Sequence, residues 1–456
     1  MDERLLNWCK RLIGCPSVTG EGTRAIVELV ARDLLAPAEI QCRVLASTTE
    51  GPEQLNLLAH VKGTDSSAAP LVLNTHLDTV PAGDTALWTA CGGDPFNATT
   101  MDDRIYGLGA ADTKLDFVAK ALALISVQPR RDVTLIATFG EEHGLAGARE
   151  LAAAGELRRD ALAFIGEPSR LEVIAAHKGL IVFVLRIGFE AGAPVRCSGA
   201  RLRFLGRTAH SSTPALGQNA IGMALDAISA APTLEILSID GGDAVNKVPA
   251  RCELRVTGDA PPDLAANAVS TGEMDATPIP RAAFDALRRF IIELQSFADR
   301  AGALEPDYAA PTLTCNPGII KSDASGIELE FELRPSPGLA LDTVREGITT
   351  LIAVVRNSWP HLRFALQERR ANPGFRAQLD GPTIELAMAA LAQAGLPLKI
   401  NVKTGCTEAG VYAAAGLHPV VFGPGPSTGV IHAPNEYNFF EDVEGAAAFY
   451  RNLLQL

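Results

Sequence analysis

Apolar runs that stop at chelating side chains constrain this chain more than any other feature. "LVLNT" at residues 71–75 runs into His76 and, two residues later, Asp78. "VTLIATF" at 133–139 runs into "GEEHG", which carries Glu141 and Glu142. "ALAFI" at 161–165 runs into "GEP" with Glu167, and "PVVF" at 419–422 leads to a loop holding His432. Runs this short read as strands, and strands apolar on both faces belong inside a covered sheet. "KLDFVAKALALISV" between the first two reads as a helix, as does "DERLLNWCKRLIGC" with Leu5, Trp8 and Leu12 at helical spacing. Strands alternating with helices predict an α/β layered sheet.

The character changes near Lys178. "KGLIVFVLRIGF" is β-like, "RCELRV" and "GIELEFELRPSPG" alternate with one polar face, and "NAIGMALDAISA" and "FDALRRFIIELQSFADR" are helical. The α/β pattern returns after "NPGF", where Pro382 starts a helix that Gly395 ends. A chain of 456 residues exceeds one ordinary core. The division expected is an α/β domain of residues 1–177 and 373–456, with an α+β domain of residues 178–372 inserted into it.

The formal charge of −13 argues against a nucleic-acid surface, which would want a basic stripe. It leaves room for an anionic small substrate held by a few local arginines. The eight cysteines are scattered with no CxxC, so they form neither a disulfide framework nor a zinc-finger pattern. The start is acidic and has no long apolar stretch, and the longest apolar run, "GLIVFVL", is far short of a membrane span of roughly 20 residues. The expected compartment is the cytoplasm, without nucleic-acid or membrane partners.

In open α/β sheets, sites form beyond the carboxyl ends of the strands. His76, Asp78, Glu141, Glu142, Glu167 and His432, with Asp112 of "GLGAADTKLD", are therefore candidates to converge. Imidazoles and carboxylates together suit zinc, with cobalt or manganese as alternatives. Two adjacent ions need a bridging carboxylate, and an unligated carboxylate beside them can take a proton from water. For His76 and Asp78, residues i and i+2 of a strand share a face. Two readings stay open there: a ligand with its support, or an ordinary polar strand end.

The stretches "THLDTVPAGD", "IYGLGAADTK", "TFGEEHGLAGAR", "GEPS", "AAHKG", "AHSSTPALGQNAI", "AVNKVPARCEL" and "GVIHAPNEY" occur in that order. In them the chain resembles the co-catalytic zinc amidohydrolase and peptidase family of acetylornithine deacetylase, succinyl-diaminopimelate desuccinylase, aminoacylase and glutamate carboxypeptidase. The resemblance implies a di-zinc aminopeptidase-like α/β catalytic domain with an inserted α+β lid and dimerisation domain. It implies that His76 and Glu167 bind one ion, Glu142 and His432 the other, and that Asp112 bridges them. Glu141 would be the general base, and Asp78 would orient His76. His210 would stabilise the oxyanion, in many relatives from the partner subunit of a homodimer. Arg334 would grip a substrate carboxylate and Asn246 would contact substrate.

The implied activity is removal of an N-acyl group from an amino acid, as in acetylornithine deacetylase. A dipeptidase or carboxypeptidase on the same di-zinc scaffold is the alternative. The substrate is then a small N-acyl amino acid or a dipeptide. Departures exist: Leu115 follows Lys114 where the family usually has Gly, "GLG" with Leu108 replaces "GRG", and the inserted domain is long. A similarly enlarged lid in some dipeptidases replaces the partner subunit, which opens the alternative that His210 acts in cis.

Overall fold

The computed structural model describes residues 2–258 and 268–456. It divides into two compact units, Met1–His177 with Phe375–Leu456, and Lys178–Gly374.

The first unit is built on a nine-stranded sheet. At its centre Val133–Thr138, Leu71–His76, Leu162–Ile165 and His418–Val421 run parallel in that spatial order. Leu71–His76 is buried along its whole length, which explains why the sequence there is apolar rather than alternating. Leu71 and Leu73 enter one core cluster and Val72 the other, as the two-residue period of a strand requires. The first cluster takes in helices Glu3–Ile13, Lys114–Ser126, Pro382–Gln393 and Phe440–Gln455, and the second takes in Ala146–Ala153 and Ala409–Ala414. The sheet thus has helices on both faces, and its parallel strands end on one edge.

One stretch departs from its sequence pattern. The residues "TRAIVELVARDLLA" suggest a single helix, but the α-helix stops at Leu29. Val30–Leu35 is wound as a π-helix and passes into a 3₁₀ turn at Ala36–Ala38 that contains Pro37.

The second unit has an eight-stranded antiparallel sheet among its described residues. Leu180–Gly188 lies between Gly326–Arg334 and Arg363–Asn372. Helices Ala220–Ala230, Arg281–Arg300 and Leu341–Ser358 contribute to its core. Arg281–Arg300 shows why a helix forms there. Phe284, Leu287, Phe290 and Leu294 recur at helical spacing and are all buried, while Arg288 and Arg289 face solvent in ion pairs.

Candidate active site

His76 ends its strand fully buried, and the two residues after it turn so that its Nδ1 lies 3.0 Å from the Asp78 backbone oxygen. A carbonyl only accepts, so Nδ1 carries the proton and Nε2 faces Asp112 Oδ1 at 3.1 Å. The other Asp112 oxygen, Oδ2, lies 3.3 Å from His432 Nε2, which is also 3.0 Å from Glu142 Oε1. One carboxylate therefore presents an oxygen to each of two imidazoles. Donors bound to one tetrahedral ion at ~2.0–2.1 Å sit ~3.3 Å apart, so these separations fit ligands that share a cation.

Among the described residues the ligand-competent atoms fall into two groups, His76 with Glu141 and Glu167, and Asp112 with Glu142 and His432. In each group the atoms lie within 4.8 Å of one another. The electrostatics agree with the geometry. Burial alone would lower the His76 pKa, but Asp112 and Asp78 outweigh it and raise the value. A field that favours a proton on Nε2 also favours a metal cation there. Asp112 and Glu142 likewise raise His432 to about 11. Glu141 is pushed well above the usual carboxylate range, chiefly by burial and then by the charge of Glu167.

Local backbone features hold these groups. Gly166 precedes Glu167 because a Cβ there would lie 2.0 Å from Asp116 Oδ2 and 2.7 Å from Thr75 Oγ1. His432 sits at φ 57, a region that residues other than glycine seldom occupy and that is often found at sites where geometry is imposed. Leu108 and Leu115, where the sequence departs from the family pattern, are both buried packing residues near the Asp112 loop.

Asp78 does more than the sequence suggested. Its side-chain Oδ1 is 3.6 Å from His76 Nδ1, so the backbone oxygen is the nearer partner of the ring. The carboxylate accepts from the backbone N–H groups of Glu141 at 3.1 Å and Glu142 at 3.3 Å. Asp78 thereby fixes the turn that carries both glutamates. Asp78→Ala is expected to weaken metal binding by about 10–100-fold with every candidate ligand still present. Titration against a chelator measures this, and unchanged affinity would make Asp78 an ordinary strand end.

Several further residues contribute, none of them with a role assigned from the sequence. Glu436 is buried and accepts from the N–H groups of Ala111 at 2.8 Å and Asp112 at 3.0 Å, and burial pushes its carboxyl up to about 8. Lys120 and Asp116 form a fully buried pair at 2.7 Å. Lys120 also donates to the Asn74 carbonyl at 2.6 Å and the Phe164 carbonyl at 3.2 Å, which ties adjacent strand ends together. Asp116 accepts from Thr75 and Tyr450, both at 2.6 Å. Lys403 lies 2.6 Å from Glu167 Oε2. Burial alone would lower its pKa, but Glu167 and Asp112 outweigh that and the ammonium keeps its proton.

The remaining three candidates lie in the second unit. His210 Nδ1 accepts from the Ser212 hydroxyl at 2.7 Å and the Ser212 N–H at 3.2 Å, which leaves the proton on Nε2 as a donor. Burial and then the charge of Arg334 lower its pKa, so the ring is neutral at pH 7. Arg334 is buried rather than solvated, and its Nε donates to Glu332 at 2.6 Å. Asn246 is exposed, and its backbone oxygen accepts from Ser211 N at 3.0 Å, beside His210.

A carboxylate that faces two imidazoles beside the ends of a parallel sheet is an arrangement that can hold two metal ions on an α/β scaffold. Residues 72–456 match the family described as "Peptidase family M20/M25/M40", and the chain belongs to that family. It is 34% identical to the acetylornithine deacetylase of Klebsiella pneumoniae (strain 342) over 279 residues, which cover 54% of this chain and 65% of that protein. It is 37% identical to the acetylornithine deacetylase of Salmonella arizonae over 226 residues, 44% of this chain and 52% of that one. The matched part thus spans between half and two thirds of these relatives. In fold it resembles the crystal structure of aminoacylhistidine dipeptidase from Vibrio alginolyticus, with a TM-score of 0.70 and 16% identity. That likeness covers all of this chain and 96% of the other.

Proposed function

We propose that the protein is a metal-dependent amidohydrolase that removes an N-acyl group from an amino acid, in the manner of an acetylornithine deacetylase. The observation that carries this reading is Asp112, which offers one oxygen to His76 and the other to His432. His76 with Glu167 and Glu142 with His432 would hold two divalent ions, with zinc preferred because the donors are imidazoles and carboxylates. When bound, such ions polarise a carbonyl and acidify water.

The protein's own residues supply the rest. Glu141 takes the proton of the attacking water and passes it to the departing amine nitrogen, a task suited to a carboxyl whose pKa is raised. His210 donates its Nε2–H to the oxyanion of the tetrahedral species. Arg334 grips a substrate carboxylate, and Asn246 lines the same substrate. The inserted unit acts as lid and dimerisation domain of a homodimer.

The cytoplasm is the proposed compartment. The eight scattered cysteines, with no CxxC among them, support that reading. Among the described residues no helix is long and apolar enough to cross a membrane.

The test is a hydrolysis screen of N-acetyl, N-succinyl and N-formyl amino acids beside dipeptides, each with added zinc, cobalt or manganese. Turnover is expected to be highest on an N-acyl amino acid. Preference for a dipeptide would move the assignment to dipeptidase or carboxypeptidase. No turnover on any amide would overturn it.

A further inference from the structure

Lys403 ends the strand Ile400–Lys403, which runs parallel to Val173–His177 with Lys403 in register with His177. It is therefore one more strand-end side chain of the same sheet, and it brings a positive charge among the carboxylates. Its Nζ lies 2.6 Å from Glu167 Oε2. The Lys403 side chain is only 20% exposed and that of Glu167 only 7%, so solvent screens this contact weakly.

We propose that Lys403 is a fixed cation of the metal centre. It shares Glu167 with the ion held there and weakens that ion's binding relative to what the carboxylates alone would give. The inference rests on the two-ion reading above.

Two effects of an ammonium on a ligand carboxylate oppose each other. As a hydrogen-bond donor it orients the ligand, and loss of such a support typically costs about 10–100-fold in metal affinity. As a cation it draws on the same negative charge as the ion and repels it, through a medium that screens poorly. Here Glu167 has other constraints. It follows Gly166, whose close approach to Asp116 and Thr75 fixes the turn, and the Gly166 N–H donates to the Asn74 carbonyl at 2.7 Å. The backbone that carries Glu167 is thus placed without Lys403; the lysine's own tie is to the carboxylate oxygen, where its charge opposes that of the ion.

The experiment is zinc titration by chelator competition, with stoichiometry, on wild type, Lys403→Arg, Lys403→Met and Lys403→Gln. Thermal unfolding with and without zinc accompanies it. Wild type is expected to bind two ions. In Lys403→Met one of them should bind tighter by about tenfold or more. Lys403→Arg keeps the charge and should behave as wild type. The zinc-induced rise in Tm should be larger in Lys403→Met and Lys403→Gln than in wild type, because ions bound more tightly stabilise more.

Weaker or unchanged zinc binding in Lys403→Met overturns the proposal and makes Lys403 a support of Glu167. Tightening in Lys403→Arg equal to that in Lys403→Met overturns it by showing that shape matters and charge does not. If Lys403→Met does not fold without metal, Lys403→Gln carries the same expectation, and a zinc-induced shift equal to wild type overturns it. Failure of wild type to bind a second ion removes the two-ion reading itself, an outcome distinct from the others.

Discussion

Glu141→Gln is expected to keep both ions and to lose turnover by at least about 10²–10⁴-fold, the usual worth of a general base. The amide occupies the volume of the carboxylate but cannot take a proton from water or deliver one to the amine. Glu141 lies with His76 and Glu167 in one of the two ligand-competent groups, so the assignment needs a readout that separates base from ligand. Metal stoichiometry is that readout. A variant that loses one ion, and regains activity when excess metal is supplied, would make Glu141 a ligand and reverse its role with that of Glu142.

His210→Ala is expected to lower turnover by about 10²–10³-fold, the usual worth of one oxyanion donor, with little change in metal content. The Ser212 contacts engage Nδ1 as an acceptor and leave the proton on Nε2, so even a neutral ring has its donor. Mixing Glu141→Gln with His210→Ala chains tests where this donor acts. If it acts across a dimer, the mixed dimer has one intact site and activity returns. If each chain is self-sufficient, none returns. Wild-type turnover by His210→Ala alone would remove the residue from the mechanism.

What could be read from the sequence follows from what is local. Leu71–His76 and Leu162–Ile165 were legible as strands because burial on both faces leaves a short, largely apolar run. That such strands end in His76 and Glu167 is visible beside the same run. The change of pattern near Lys178, where alternation with one polar face begins, is local in the same way. The groups that reach the site from elsewhere in the chain were not legible, because their partners are remote. Lys403 meets Glu167 across 236 residues, and Glu436 meets Ala111 across 325. A lysine after a strand is ordinarily a solvated end, and nothing local distinguishes Lys403 from one. The sense of Asp78 was half visible: spacing placed it beside His76, but not against the backbone of Glu141 and Glu142, which the chain reaches 63 and 64 residues later.

His177, the last residue of the first unit before the inserted segment, is paired with Phe375, the first residue after it. The two rings also stack edge to face with centroids 4.6 Å apart. The chain thus leaves and re-enters through neighbouring positions on adjacent strands, and a tight turn would span the same gap. The intervening residues are spliced in as a cassette whose ends are already closed. The entropy of holding such ends together grows only slowly with the length between them, by about 0.6 kcal/mol per doubling. Lengthening, shortening or exchanging the cassette should therefore leave the register of the parent sheet intact. One catalytic chassis can then carry cassettes of different size, and substrate range can diverge without redesign of the metal centre.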